Sequence, residues 1–273
     1  MRLRKGEIFI KAENFPDDVL TCFSTRLGGI GSGEYEGMNP DPRRPWPFEI
    51  VKKNAETLGM AAGFKPENMY MINQVHGDSV KSVSREEAGT GIIRPIEVCA
   101  DALVTDAPGV ALTIFTADCT PILICDPVKK VVAAVHAGWK STALDIAGKT
   151  VEKMKRDYGC LPKDMHAAIG PCISRCCFET HKDVPDAMIK LLGDAALSAI
   201  DRKTPEVMSD GSAEEKFFVD LKLINKELLK RSGVRDENIE ISPHCTACET
   251  DVFWSHRKMG TARGSLAAVI MLK

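Results

Sequence analysis

Apolar positions along this chain gather in short runs separated by turn residues. Runs of strand length occupy 19–23, 69–75, 102–105, 110–116, 122–125, 131–135, 239–242 and 266–272, several rich in valine and isoleucine, and such runs predict strands. The helical period is clearest over 142–158, where Ala143, Ala147, Val151, Met154 and Tyr158 share one face and Lys149, Glu152, Lys153 and Arg156 face away. Gly159 supplies a C-terminal stop. Further helices are predicted at 49–58, 184–199 and 221–231. Strands and helices do not alternate in βαβ units of one period, so the pattern predicts an α+β fold, read as a single domain over 1–273. The polar stretch 201–216, with Pro205 and Gly211, predicts a surface loop.

Composition narrows the function. The 273 residues carry 36 basic and 38 acidic side chains, a net charge of -2, spread without the basic stripe that nucleic-acid binding leaves. The N-terminal "MRLRKGEIFIKAENF" lacks a signal-peptide core, and no apolar run approaches the ~18 residues of a membrane span. A cytoplasmic protein with no membrane or nucleic-acid partner is expected. In that compartment the ten cysteines read as reduced thiols, some of them ligands or nucleophiles.

Chemistry concentrates where apolar runs meet turns. In "ADCTPILICDP" and "VAAVHAGWKST", Cys119 and His136 are read at the C-terminal ends of apolar runs, followed by Thr120-Pro121 and Ala137-Gly138. His76 in "INQVHGDSV" repeats the arrangement. A His-Cys-His set gives three protein donors, the number a catalytic zinc uses while leaving a fourth position for chemistry. The same donors suit copper, but the H-x-H pairs of a copper-oxidase cluster are missing from the six histidines, which disfavours a copper-dependent polyphenol oxidase. A metal-independent reading makes Cys119 a nucleophile and His136 its base; it leaves His76 without a role. In a non-catalytic reading, zinc merely staples strands.

Other motifs are weaker. "IGPCISRCCFE" begins like the P-C-x-x-C of nucleobase deaminases, but the next cysteines, Cys176 and Cys177, break the spacing. Cys245 and Cys248 have C-x-x-C spacing and could join Cys172 or Cys177 as a structural zinc, with packed free thiols the simpler reading. "STRLGGIGSG" lacks the G-K-[ST] of a phosphate loop, yet Arg26 in it suits an anion through its fork. In "AGWKST" a helix start and Lys140 offer a second anion site. Asp101 and Asp118 are candidates to orient an imidazole or move a proton.

These segments together resemble the YfiH-like, or DUF152, laccase-domain family, whose members have been called polyphenol oxidases and peptidoglycan editing factors. The resemblance runs through "FSTRLGG", "NQVHG", "ADALVTDAPGVALTIFTADCTPILICDP", "AAVHAGWKST", "AIGPCISRCCFE" and "CTACETDVFWSHRK". It implies layered mixed sheets flanked by helices and a zinc held by His76, Cys119 and His136. It further implies phosphorolysis of adenosine, inosine, guanosine or methylthioadenosine by inorganic phosphate, with an adenosine deaminase activity. Arg26, Lys140 and Arg257 are the expected substrate and phosphate ligands. The chain departs from the family pattern at Lys140, where arginine is usual, at "MNPDPR", at His256 in place of tyrosine, and at "GTARG", which leaves Arg263 as the counterpart of the tail arginine.

Overall fold

The apolar runs assemble into two sheets packed face to face. The structure, a computed structural model, describes residues 1–203, 206–207 and 213–273. One sheet has five strands, in the order Phe9–Ile10, Val19–Ser24, Leu266–Leu272, Ala111–Thr116 and Met69–Tyr70. The other has six, in the order Ile239–Ile241, His166–Ile169, Thr120–Asp126, Val131–Ala137, Ala102–Thr105 and Val80–Ser82. Both are mixed. Their central pairs are antiparallel, while parallel pairs close one edge of the first sheet and both edges of the second.

Between the sheets, Phe23, Leu112, Ile114 and Ile270 mesh with Leu103, Leu123, Val132 and Ala134 in one buried cluster. The outer face of the six-stranded sheet, through Ile122, Ile124, Ala133 and Val135, takes the helices Ile146–Tyr158, Asp183–Leu192 and Leu221–Arg231. The outer face of the five-stranded sheet takes Phe48–Ala62 through Ala55 and Leu58. Four layers result, helix, sheet, sheet, helix, in agreement with the α+β expectation. The layering explains why the apolar runs are continuous: Thr120–Asp126 is buried at every position because its two faces meet different layers.

The pattern misplaced several boundaries. The helix expected over 142–158 is two: Trp139–Ala143, then Ile146–Tyr158. Asp145 separates them at φ 60° in the left-handed region, and its carboxylate accepts from the Gly148 N–H, so a local side-chain cap replaces a continuous helix. The helix expected over 184–199 ends at Leu192 and continues as a 3₁₀ turn, Gly193–Ala199. The run 69–75 is a strand only at Met69–Tyr70; the rest turns toward the site. Within 201–216, Ile200–Arg202 closes a three-stranded sheet and Glu206–Val207 pairs with Ala213–Glu214, while 204–205 and 208–212 lie outside the described residues. No helix among the described residues is long and apolar enough to cross a membrane.

Candidate functional site

Three connections between layers bring the chemistry together. The chain leaves the five-stranded sheet at Thr116 and enters the six-stranded sheet at Thr120, so Cys119 sits in the crossover rather than at a strand's C-terminal end. His136 is inside its strand, in register with Pro121, which sets it across from the residues just after Cys119. His76 lies on the segment that passes the end of Ala111–Thr116, fastened there by Gln74. The Gln74 amide donates to the Phe115 carbonyl at 2.7 Å and accepts from the Phe115 N–H at 2.9 Å. The result is a triad whose donor atoms all lie within 4.8 Å of one another, with the two imidazoles edge-on at 4.8 Å between centroids.

Asp101, fully buried, organises two of the three. Its Oδ2 accepts the N–H groups of Val75 at 3.2 Å and Gly77 at 2.7 Å. Its Oδ1 accepts the His76 N–H at 3.0 Å and faces His136 Nδ1 at 2.8 Å. Four donors on one carboxylate hold the His76 turn, where His76 itself takes φ 58°, and fix the proton of His136 on Nδ1. Nε2 is thereby left as a donor pair for a cation. Burial opposes the charge on Asp101, but His136 and these N–H groups outweigh it and hold the carboxyl below the usual carboxylate range. Burial likewise opposes a charged His136, yet the Cys119 sulfur and Asp101 raise it to about 9. Desolvation and then the adjacent His136 push His76 down.

The surroundings fit a metal ion. A Cβ at Gly138 would stand 2.6 Å from His76 Nδ1 and 3.1 Å from Cys119 Sγ, so only glycine leaves the donors room. One sulfur and two imidazole nitrogens are borderline-soft donors that suit zinc, and no fourth His, Cys, Asp or Glu joins this group among the described residues.

Two cavities meet at the triad. One, of about 320 Å³, is walled by Trp139, Ile173, Phe178, Leu221, His256 and Arg257. The second, of about 290 Å³, is walled by Asp41, Arg43, Arg44, Gln74 and Ser265. His76, Ala117, Cys119 and Arg263 line both. The first carries the aromatic and aliphatic wall of Trp139, Phe178, Ile173 and Leu221, while the second is rich in guanidinium groups. Arg43 is neutralised by Asp41 through a two-pronged contact at 2.8 and 3.0 Å. Arg44 spends donors on the carbonyls of Thr261 and Arg263. Burial, followed by the charge of Arg44, pulls the Arg263 pKa down, so an anion between these two would relieve both.

The expected anion ligands are placed differently from one another. Arg26 lines neither cavity: its guanidinium lies 4.0 Å over the Trp254 ring and donates to the Thr250 carbonyl at 2.8 Å. Lys140 is exposed, its Nζ 5.6 Å from the Trp139 ring, and lines neither cavity, although its charge contributes to the lowered pKa of His76. Arg257 walls the aromatic cavity, with its guanidinium donating to the carbonyls of Cys177 and Glu179, both at 3.0 Å. Arg263 stands on the shared wall.

Asp118 serves as a bracket. At φ 86°, a conformation aspartate tolerates better than most residues, it accepts from Thr246 Oγ1 at 2.6 Å, Ser255 Oγ at 3.1 Å and the Arg257 N–H at 2.6 Å. It thus ties the C-terminal segment to the Cys119 crossover. Sequence reasoning passed over Arg43, Arg44, Trp139 and Phe178 as wall residues. The one signal available was the Arg-Arg pair in "DPRRPW", in which the fold turns a proline-rich surface stretch into a cavity wall.

Comparison with known proteins gives concordant results. Residues 20–273 match the family model described as multi-copper polyphenol oxidoreductase laccase. The chain is 36% identical over 252 residues to a purine nucleoside phosphorylase of Deinococcus radiodurans, covering 92% of this chain and 88% of the relative. It is 31% identical over 277 residues to the purine nucleoside phosphorylase LACC1 of Mus musculus, covering 98% of this chain but 59% of that protein; the chain thus spans about three fifths of that relative's length. An adenosine deaminase, RL5, from an unknown prokaryotic organism is 33% identical, with 89% of this chain and 90% of the relative covered. Among solved structures, YlmD from Geobacillus stearothermophilus superposes with a TM-score of 0.87 at 28% identity, over 99% of this chain and 98% of that one.

Proposed function

The chain belongs to the multi-copper polyphenol oxidoreductase laccase family, and on that premise we propose that it is a zinc-dependent purine nucleoside phosphorylase with adenosine deaminase activity. The observation that carries the reading is the position of the donor triad: His76 and Cys119 line both an aromatic cavity and a guanidinium-lined one, and His136 lines the second. Relatives named as purine nucleoside phosphorylases and as an adenosine deaminase support the substrate class.

Each cavity suits one half of a phosphorolysis. The aromatic cavity is of nucleoside size, and Trp139 and Phe178 supply aromatic wall for a purine. Arg44 and Arg263 face an anion across the shared wall, where inorganic phosphate neutralises the repulsion between them. As the N-glycosidic bond breaks, the sugar gains positive charge at C1′, and an anion held beside it stabilises that charge. Asp101 keeps the proton on His136 Nδ1 and the His76 turn in place. When bound by His76, Cys119 and His136, zinc supplies Lewis acidity at the same wall. Arg26 and Lys140, which line neither cavity, have no direct part in this scheme.

Copper oxidation finds less support. Clusters of paired histidines are absent among the described residues, where the only groups of metal-donor side chains are His76, Cys119 and His136 and a set of four cysteines. The test is product analysis: adenosine with phosphate gives adenine and ribose 1-phosphate, and adenosine alone gives inosine. Base release indifferent to phosphate points to a hydrolase. Turnover that survives a chelator but not a thiol alkylator points to a metal-free Cys119–His136 enzyme.

A further inference from the structure

Beside the aromatic cavity, the chain gathers four cysteines that the reaction does not use. Cys176 and Cys177 come from the turn after the strand His166–Ile169, and Cys245 and Cys248 from the C-x-x-C turn after Ile239–Ile241. These two strands are parallel neighbours, so both turns leave the same end of the sheet, and an isolated bridge between Cys172 and Cys245 aligns them. Cys172 itself is outside the group. It is fully buried, its sulfur takes the Thr120 hydroxyl at 3.5 Å, and burial pushes its thiol up to about 12.

The sulfur positions have the shape of a coordination polyhedron. Cys176 Sγ lies 3.8 Å from Cys177, 3.7 Å from Cys245 and 3.6 Å from Cys248, and Cys177 lies 3.3 Å from Cys248. A tetrahedron with metal–sulfur bonds of about 2.3 Å has edges of about 3.8 Å. A single disulfide, with sulfurs about 2.0 Å apart, would account for two of the four and leave the other two crowded. Within the same turn, Cys245 Sγ accepts the Ser174 N–H at 3.3 Å. Neutral thiols packed this closely have too few acceptors to share; a dication satisfies all four.

We propose that Cys176, Cys177, Cys245 and Cys248 bind a second, structural zinc ion that staples the two turns walling the nucleoside-sized cavity. Four cysteine ligands close the coordination sphere, which is the arrangement of structural and not catalytic zinc. The staple acts on the cavity through its neighbours. Ile173 and Phe178, flanking the first turn, line that cavity and pack with Cys177, Cys245 and Ala247, while the Cys177 carbonyl receives the Arg257 guanidinium. Lys222 clamps the same two turns from below, donating to Ser174 Oγ at 2.9 Å and to the carbonyls of Ser242 at 2.9 Å and His244 at 2.7 Å. The inference stands apart from the proposed activity and from the identity of the metal at His76.

Metal counting on protein purified under reducing conditions tests it. Native mass spectrometry with elemental analysis is expected to give two metal ions per wild-type chain, at least one of them zinc, and a single zinc ion in His76→Ala. In Cys176→Ser and Cys248→Ser one ion is lost while the His76–Cys119–His136 ion stays. Cobalt loaded into His76→Ala is expected to show sulfur-to-cobalt charge-transfer absorption that Cys248→Ser combined with His76→Ala lacks. If the cysteine variants do not fold, the wild-type and His76→Ala counts decide. One ion in the wild type and none in His76→Ala, a mass two hydrogens lower from a disulfide, iron in place of zinc, or an ion count unchanged by Cys248→Ser would overturn the proposal.

Discussion

Asp101→Asn isolates the residue on which the candidate metal centre turns. The wild-type carboxylate receives two donors on each oxygen: His76 N–H and His136 Nδ1 on Oδ1, Val75 N–H and Gly77 N–H on Oδ2. An amide can serve one pair only. With its NH₂ toward Val75 and Gly77, two part-buried N–H groups lose their acceptor, at about 1–3 kcal/mol each. With its NH₂ toward His136, only the His76 N–H is orphaned, because the imidazole can shift its proton to Nε2 and accept at Nδ1. The second orientation is favoured by about 1–3 kcal/mol, and it removes Nε2 as a ligand. Zinc has to reverse that preference before binding, so affinity is expected to fall by roughly 5–150-fold, in line with the 10–100-fold typical of lost partners behind a metal ligand. Competition with a chromophoric chelator reads the affinity. Thermal unfolding of the metal-free proteins reads the remaining cost of about 1–3 kcal/mol, a few degrees for a chain of this size. An Asp101→Asn protein that unfolds earlier but holds zinc within twofold of wild type would refute the tautomer argument.

Other substitutions separate the remaining parts of the site. Gly138→Ala brings a methyl group to 2.6 Å from His76 Nδ1; metal content is expected to fall sharply with little change in the unfolding midpoint of the metal-free protein, and full occupancy contradicts the crowding seen there. Phe178→Ala removes a ring face from the aromatic cavity, and with stacking worth ~1–3 kcal/mol per base, KM for adenosine is expected to rise roughly 5–150-fold with KM for phosphate unchanged. Arg44→Ala is expected to do the reverse, raising KM for phosphate at least tenfold, and an equal effect on both substrates would show that the two cavities do not divide the work. Arg26→Ala is expected to weaken folding through its contact with Trp254 and to leave KM for phosphate unaltered.

Much of the architecture was written in local pattern. Strands such as Thr120–Asp126 and Leu266–Leu272 are buried on both faces, so they appear as uninterrupted apolar runs and need no tertiary information to find. His166–Ile169 escaped notice because its two alanines carry little apolar signal, although it pairs on both sides within the larger sheet. The helix break at Asp145 depends on a backbone torsion and one side-chain cap, which periodicity does not register. At the site, His76, Cys119 and His136 were visible because each is a polar residue beside an apolar run. Their convergence depends on the crossover between the sheets and on Asp101, which joins segments far apart in sequence. The guanidinium wall was hidden for the same reason. Arg43 and Arg44 sit in an irregular proline-rich loop, and only the fold sets them opposite Arg263, while Arg26, in a more suggestive glycine-rich stretch, is drawn onto Trp254.

The proposed chemistry depends on three side chains sharing one ion. Diffraction data collected on either side of the zinc absorption edge measure this directly, through the anomalous-difference density around His76. A zinc peak at about 2.3 Å from Cys119 Sγ and about 2.0–2.1 Å from a nitrogen of each imidazole, with no fourth protein donor, is the predicted result. A peak of copper, a fourth side chain on the ion, or no peak among these three residues would contradict it.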